Sequence, residues 1–128
     1  MNATMLLVLA ILWHAEADGY RYPPDGDGGL AKGPYQIHAC VVQDVNAVYG
    51  TSFTHEQMRN LGLARYVCLR YLQHWGGHYK ITTGKEPTLE VYCRIWNGGP
   101  NGWKRKATVK YWERRCAPAL LSLRGTSK

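Results

Sequence analysis

Two acids, one before a glycine-rich turn and one within it, are the residues of this 128-residue chain best suited to chemistry. Glu16 closes an apolar segment, and Asp27 follows in Asp25-Gly26-Asp27-Gly28-Gly29. A carboxyl at the end of an apolar element is held neutral and can give up a proton, whereas one on a wet loop stays ionised. Cleavage of a glycosidic bond needs that pair: a general acid for the leaving oxygen, and a carboxylate to orient water or steady an oxocarbenium-like centre. Asp25 competes with Asp27 for the second role, and Asp18 comes third. Asp-Gly-Asp-Gly also forms a turn with no chemistry attached. His14 and His38 lie near these acids in sequence but lack a nucleophile partner, so they receive no role.

The elements that must position Glu16 begin with the apolar run Met5 to Trp13. It reads in two ways. Ala15-Glu16-Ala17 fits a small-x-small cleavage site, which would make residues 1–17 a signal peptide and remove Glu16. The other reading is a first helix buried on most faces, with Glu16 at its C-terminal end. Further helices are expected over His38 to Tyr49, stopped by Gly50, and from a Thr54-His55-Glu56-Gln57 capping box with Phe53 and Met58 as its staple. The second of these shows apolar residues at three-four spacing to Trp75 and is expected to stop at Gly76-Gly77. Residues 78–87 read as a loop. Thr88 caps a helix through Trp96, Asn97 to Gly102 forms a turn, and a last helix from Ala107 to Cys116 ends near Pro118. Residues 123–128 read as a frayed tail. The fold class is mainly α in one domain over 1–128, with at most a small hairpin in the 19–35 region.

Bulk composition narrows the partners. The net charge is +7, with four of the nine acids between residues 16 and 27 and nine basic residues against one acid from Arg94 onward. Such a basic half suits an anionic polymer such as bacterial wall, nucleic acid or lipid headgroups. The acidic loop would repel phosphate, which weighs against a simple nucleic-acid clamp. Lys104, Arg105 and Lys106 draw in an anionic wall or simply form a solvated loop. Nine tyrosines and five tryptophans against one phenylalanine give aromatics with polar handles, suited to stacking on sugars. No apolar segment is long enough to span a bilayer. Cys40, Cys68, Cys93 and Cys116 allow three disulfide pairings or four free thiols, and none has metal-ligand spacing.

Four pieces occur in order: Glu16; Asp27 in its glycine turn; Gly33-Pro34-Tyr35-Gln36-Ile37; and Arg94-Ile95-Trp96-Asn97-Gly98-Gly99-Pro100-Asn101-Gly102. The set, from about Leu9 to Arg115, resembles the lysozyme superfamily. It is most similar to invertebrate-type lysozymes and to soluble lytic transglycosylase-like domains of phages and bacteria. Four cysteines suit the microbial or phage branch better than the disulfide-rich invertebrate one. Where the family often has Glu-Ser-Gly, this chain has Glu16-Ala17-Asp18.

The resemblance implies an α+β lysozyme-like fold, a helical lobe and a small loop or hairpin lobe flanking a cleft. It implies cleavage of the β-1,4 bond between N-acetylmuramic acid and N-acetylglucosamine in peptidoglycan glycan strands. Glu16 and Asp27 would be catalytic, and Tyr35, Gln36, Asn97 and Gly98 would bind substrate. Without a second acid in place, attack by the muramoyl 6-hydroxyl would give an anhydro product in place of hydrolysis. No cofactor, metal or obligatory protein partner is implied, and a monomer is expected. The setting would be secreted or cell-envelope, or, for a phage gene product, the host cytoplasm. The rival is a non-catalytic cationic protein on the same scaffold, binding cell wall or nucleic acid.

Overall fold

The structure, a computed structural model, describes residues 2–125. Helix α1 spans Ala3–Ala17 and is apolar on most of its faces, so much of it is buried, although Leu6 faces out. Met5, Val8, Leu9, Ile11, Leu12, Ala15 and Ala17 are all buried in it. Asn2 caps its first turn by accepting from the Met5 N–H at 2.8 Å. Asp18, in the left-handed conformation, ends it. The helix of the second reading forms, with Glu16 on its last turn, and several later helices pack against it. Each fully buried Leu, Ile or Val contributes about 1.5–3 kcal/mol of transfer free energy, so this helix anchors the core.

Helix α2 is Ala39–Tyr49 with Gly50 as its left-handed cap, as the sequence indicates. The capping box also forms, reciprocally: Gln57 N–H donates to Thr54 Oγ1, and Thr54 N–H to Gln57 Oε1. It opens only a 3-10 turn, Glu56–Arg59. Asn60 then caps the long helix α3, Leu61–Thr83, by accepting from Leu63 N–H.

The expected stop at Gly76-Gly77 is corrected, since α3 runs seven residues past Gly76 to its Gly84 cap. The reason is tertiary. A Cβ at Gly76 would lie 2.6 Å from the Tyr92 ring, so this glycine admits a neighbouring aromatic. Helix α4, Leu89–Gly98, carries that ring and is capped by Thr88.

The C-terminal segment also differs from expectation. Helix α5, Ala107–Tyr111, passes into a π-turn, Trp112–Cys116, and then into α6, Ala117–Gly125. Pro118 therefore does not stop the helix. It has no N–H to give, and its ring would press on the carbonyl four residues back. The wide π-turn just before it, closed by Ala117 N–H to Trp112 O, supplies the room. The expected tail is helical as far as Gly125, and its remainder, 126–128, lies outside the described residues.

Among the described residues β structure is limited to two isolated bridges, Gly26 with Ala31 and Lys32 with Ile37, so the molecule is mainly α. No described helix is long and apolar enough to cross a membrane. All four cysteines are free thiols; Cys68, Cys93 and Cys116 are buried and Cys40 is exposed.

Candidate functional site

Glu16 sits half-buried on the last turn of α1, where α1 packs against the C-terminal segment. Two groups from the far end of the chain meet it there. The Tyr111 hydroxyl donates to Glu16 Oε2 at 2.5 Å. Arg115 donates through Nε and a terminal nitrogen to the Ala15 carbonyl, one of those left without a helical partner at the end of α1.

Burial pushes the Glu16 carboxyl up from the usual carboxylate range, against the smaller downward pulls of the Tyr111 hydrogen bond and the Arg115 charge. The group therefore keeps its proton to higher pH than an exposed glutamate. Tyr111 is pushed well up in turn, by its own burial and then by the Glu16 charge.

A cavity of about 120 Å³ opens beside this carboxyl, lined by Glu16, Gln36, Ile37, His38, Val41, Trp96 and Asn97. Three of the residues expected to bind or cut substrate, Glu16, Gln36 and Asn97, thus share one space although 81 positions separate the first from the last.

The Gly33-Pro34-Tyr35-Gln36-Ile37 segment reaches the cavity by close backbone contact. A Cβ on Gly33, which has φ +77, would fall 1.8 Å from the Met58 carbonyl oxygen. Gln36 takes φ +49, and its amide donates to Pro24 O at 3.2 Å and Gly33 O at 3.0 Å. That amide nitrogen therefore clasps the loop, while Gln36 still lines the cavity. Gly26 leaves room for it, since a Cβ there would lie 2.1 Å from Gln36 Oε1.

Tyr35 is a correction. It is fully buried, and its hydroxyl donates to Leu9 O at 2.9 Å, so it anchors the segment under α1 instead of facing a sugar. Burial pushes its phenol up to about 12.

Gly98 is a second correction. A Cβ there would lie 2.5 Å from Thr108 Cγ2, so its smallness serves packing of α4 on α5. Thr108 in turn fixes the turn after Asn97. It is 2% exposed; its hydroxyl accepts from Arg94 Nε and reaches the Gly102 and Arg105 carbonyls. Arg94 is held by Glu90 at 2.9 Å.

The second acid is placed differently from the first. Asp27, at φ +51, is exposed, and its Oδ2 lies 3.2 Å from Nε2 of His38. Contact with the cavity comes through that histidine. Asp25 is spoken for by two bonds from Arg59, at 2.7 and 2.8 Å. Asp18 is exposed at the helix cap. His14 borders, with Asp18, Arg114 and Arg115, a separate pocket of about 270 Å³. Lys104 lies over the Trp103 ring, 5.6 Å from its centroid.

Sequence reasoning missed Tyr111, Trp96 and His38 as site residues. Nothing local marks Tyr111, whose partner is 95 residues away. Trp96 was visible as the aromatic beside Asn97. His38 received no role for want of a nucleophile partner; what it has instead is a carboxylate, Asp27. Among the described residues no group of three or more His, Cys, Asp or Glu is placed to hold a metal ion. No protein-family model matches the chain, and comparison with curated protein sequences finds no match either.

Proposed function

We propose that this protein is a glycosidase that cuts the β-1,4 bond between N-acetylmuramic acid and N-acetylglucosamine in peptidoglycan. The observation that carries the reading is the half-buried Glu16 carboxyl, held towards its neutral form beside a cavity that it shares with Gln36, Trp96 and Asn97. A carboxyl that burial makes reluctant to ionise is suited to protonate a poor alkoxide leaving group.

With Tyr111 donating to Oε2, the Glu16 proton resides on Oε1. Proton transfer from Oε1 to the bridging oxygen lets the sugar C1–O bond break, its electron pair leaving with that oxygen. The carboxylate so formed keeps the Tyr111 hydrogen bond and faces the Arg115 charge, both of which stabilise it. Trp96 offers an aromatic wall for a sugar ring, and Asn97 an amide for an N-acetyl group. In this reading the cavity belongs to a longer cleft between helical and loop lobes of a lysozyme-like α+β arrangement. The enzyme works as a monomer on glycan strands, at the cell envelope or outside the cell, or inside a phage-infected host. The basic C-terminal half favours approach to an anionic wall.

Incubation with purified peptidoglycan followed by mass spectrometry of the soluble products tests this. Muropeptides with reducing or 1,6-anhydro ends are expected from the wild-type chain and none from Glu16→Gln. Release of neither by the folded wild-type protein refutes the proposal.

A further inference from the structure

We propose that His38 is the general base of this site, with Asp27 the positioning residue that orients it, so that the glycan is hydrolysed by water with inversion at the sugar carbon. The inference rests on the glycosidase reading above and specifies its second half-reaction.

His38 is the wall common to two spaces. It lines the Glu16 cavity and also an adjoining pocket of about 470 Å³ with Gly29, Leu30, Lys32 and His55. It occupies the N-cap position of α2, yet its side chain makes no capping hydrogen bond, so its ring is not committed to the helix. The ring is instead held by Asp27, whose Oδ2 is 3.2 Å from Nε2. A neutral imidazole carries its proton on the nitrogen that faces a carboxylate, which leaves the other nitrogen, Nδ1, as the basic one. A carboxylate that fixes tautomer and ring orientation in this way is a recognised means of making histidine a base. Asp27 presents that carboxylate from a left-handed position, φ +51, at the start of its turn.

The charged and titratable groups around the ring are few in kind. Asp27 faces it from its turn, and Glu16 lines the same cavity from α1. Lys32, His55 and Cys40 line the adjoining pocket. Lys32 is paired with Glu56 at 3.1 Å, and the His55 ring is engaged by Ile37 O at 2.6 Å. Of the two histidines, His38 is therefore the one that borders the acid.

The step balances. A water oxygen bonds to the anomeric carbon as one of its protons passes to His38 Nδ1. The bond from that carbon to the bridging oxygen breaks, and the bridging oxygen takes its electron pair and the Glu16 proton. Solvent then removes the proton from His38 and returns one to Glu16. Water attacking from the face opposite the leaving group gives inversion, so a β-linked strand yields an α-anomeric reducing end.

The experiment uses the full chain on purified peptidoglycan, with product ends read by mass spectrometry and the first-formed anomer by proton NMR. The wild-type protein is expected to release α-anomeric reducing ends, with a limb of falling kcat/KM on the acid side. His38→Gln retains an amide able to face Asp27 but cannot accept the water proton. It is expected to lose about 100-fold in reducing-end release, the low end of what a positioned base contributes, along with the acid limb. His38→Ala should be partly restored by added imidazole, which a merely structural role would not allow. 1,6-Anhydro ends or β-anomeric ends from the wild-type protein overturn the inference. So does a His38→Gln rate within threefold of wild type with the acid limb intact. These outcomes leave the glycosidase reading standing, whereas a folded wild-type chain that releases nothing sinks both.

Discussion

Replacing Tyr111 with Phe removes one hydroxyl and keeps the ring that fills its place. The lost group is the donor to Glu16 Oε2 at 2.5 Å, in a half-buried setting. With Glu16 protonated, the bond lost is between neutral groups and contributes about 1 kcal/mol. With Glu16 ionised, it is a bond to a charge and contributes about 1.5–3 kcal/mol. Stability should thus fall in both states, and further at high pH. For a chain of this length 1 kcal/mol corresponds to roughly 3–6 °C in Tm. Thermal melts at about pH 4 should show a drop of about 3–6 °C, and melts at about pH 9 a drop of about 5–18 °C. The same loss acts on the acid. Tyr111 holds the Glu16 carboxyl down, so its removal lets the carboxyl rise, and the alkaline limb of glycan cleavage moves to higher pH. An equal Tm drop at both pH values, or an unmoved alkaline limb, would refute the picture of a carboxylate held by this hydroxyl.

Glu16→Gln should abolish cleavage while raising Tm at neutral pH. The folded carboxyl lies above the ordinary 4.5, so wild-type stability declines as pH rises from there through the folded value. The neutral amide escapes that decline, and the Tm gap between the two proteins should open above about pH 4.5 and then level off. Gly33→Ala should cost about 2–3 kcal/mol or more in urea unfolding, since its Cβ would meet Met58 O at 1.8 Å and its φ is +77. Tyr35→Phe should cost about 0.5–1.5 kcal/mol for the one hydrogen bond lost to the Leu9 carbonyl, yet leave the ratio of product ends unchanged, because Tyr35 does not face the cavity.

What could be read from sequence was what local chemistry decides. The Thr54–Gln57 box, the Thr88 cap and the Gly50 stop involve residues within four positions of each other, and all three form. The errors came from contacts at long range. Gly76 looked like a stop because the Tyr92 ring that requires it lies on another helix. Pro118 looked like a stop because a π-turn is not marked by residue type. Tyr35 went astray for the same reason, since residues 33–36 form a turn whose buried side is set by the Leu9 carbonyl of α1, 26 positions away. Glu16 was legible as an acid in a greasy setting. Its hold by Tyr111 was not, because a pairing across 95 positions leaves no local trace.

All three non-glycine residues with positive φ in the described chain, Asp18, Asp27 and Gln36, fall in the connection between α1 and α2. Conformational tension is therefore concentrated in the one stretch that frames the acid, and the helical scaffold is left relaxed. A search for hardier variants would be drawn first to these positions, where glycine relieves the backbone. Only at Asp18 would such relief be free of consequence for the cavity wall; at Asp27 and Gln36 it would trade the working shape of the loop for thermal endurance.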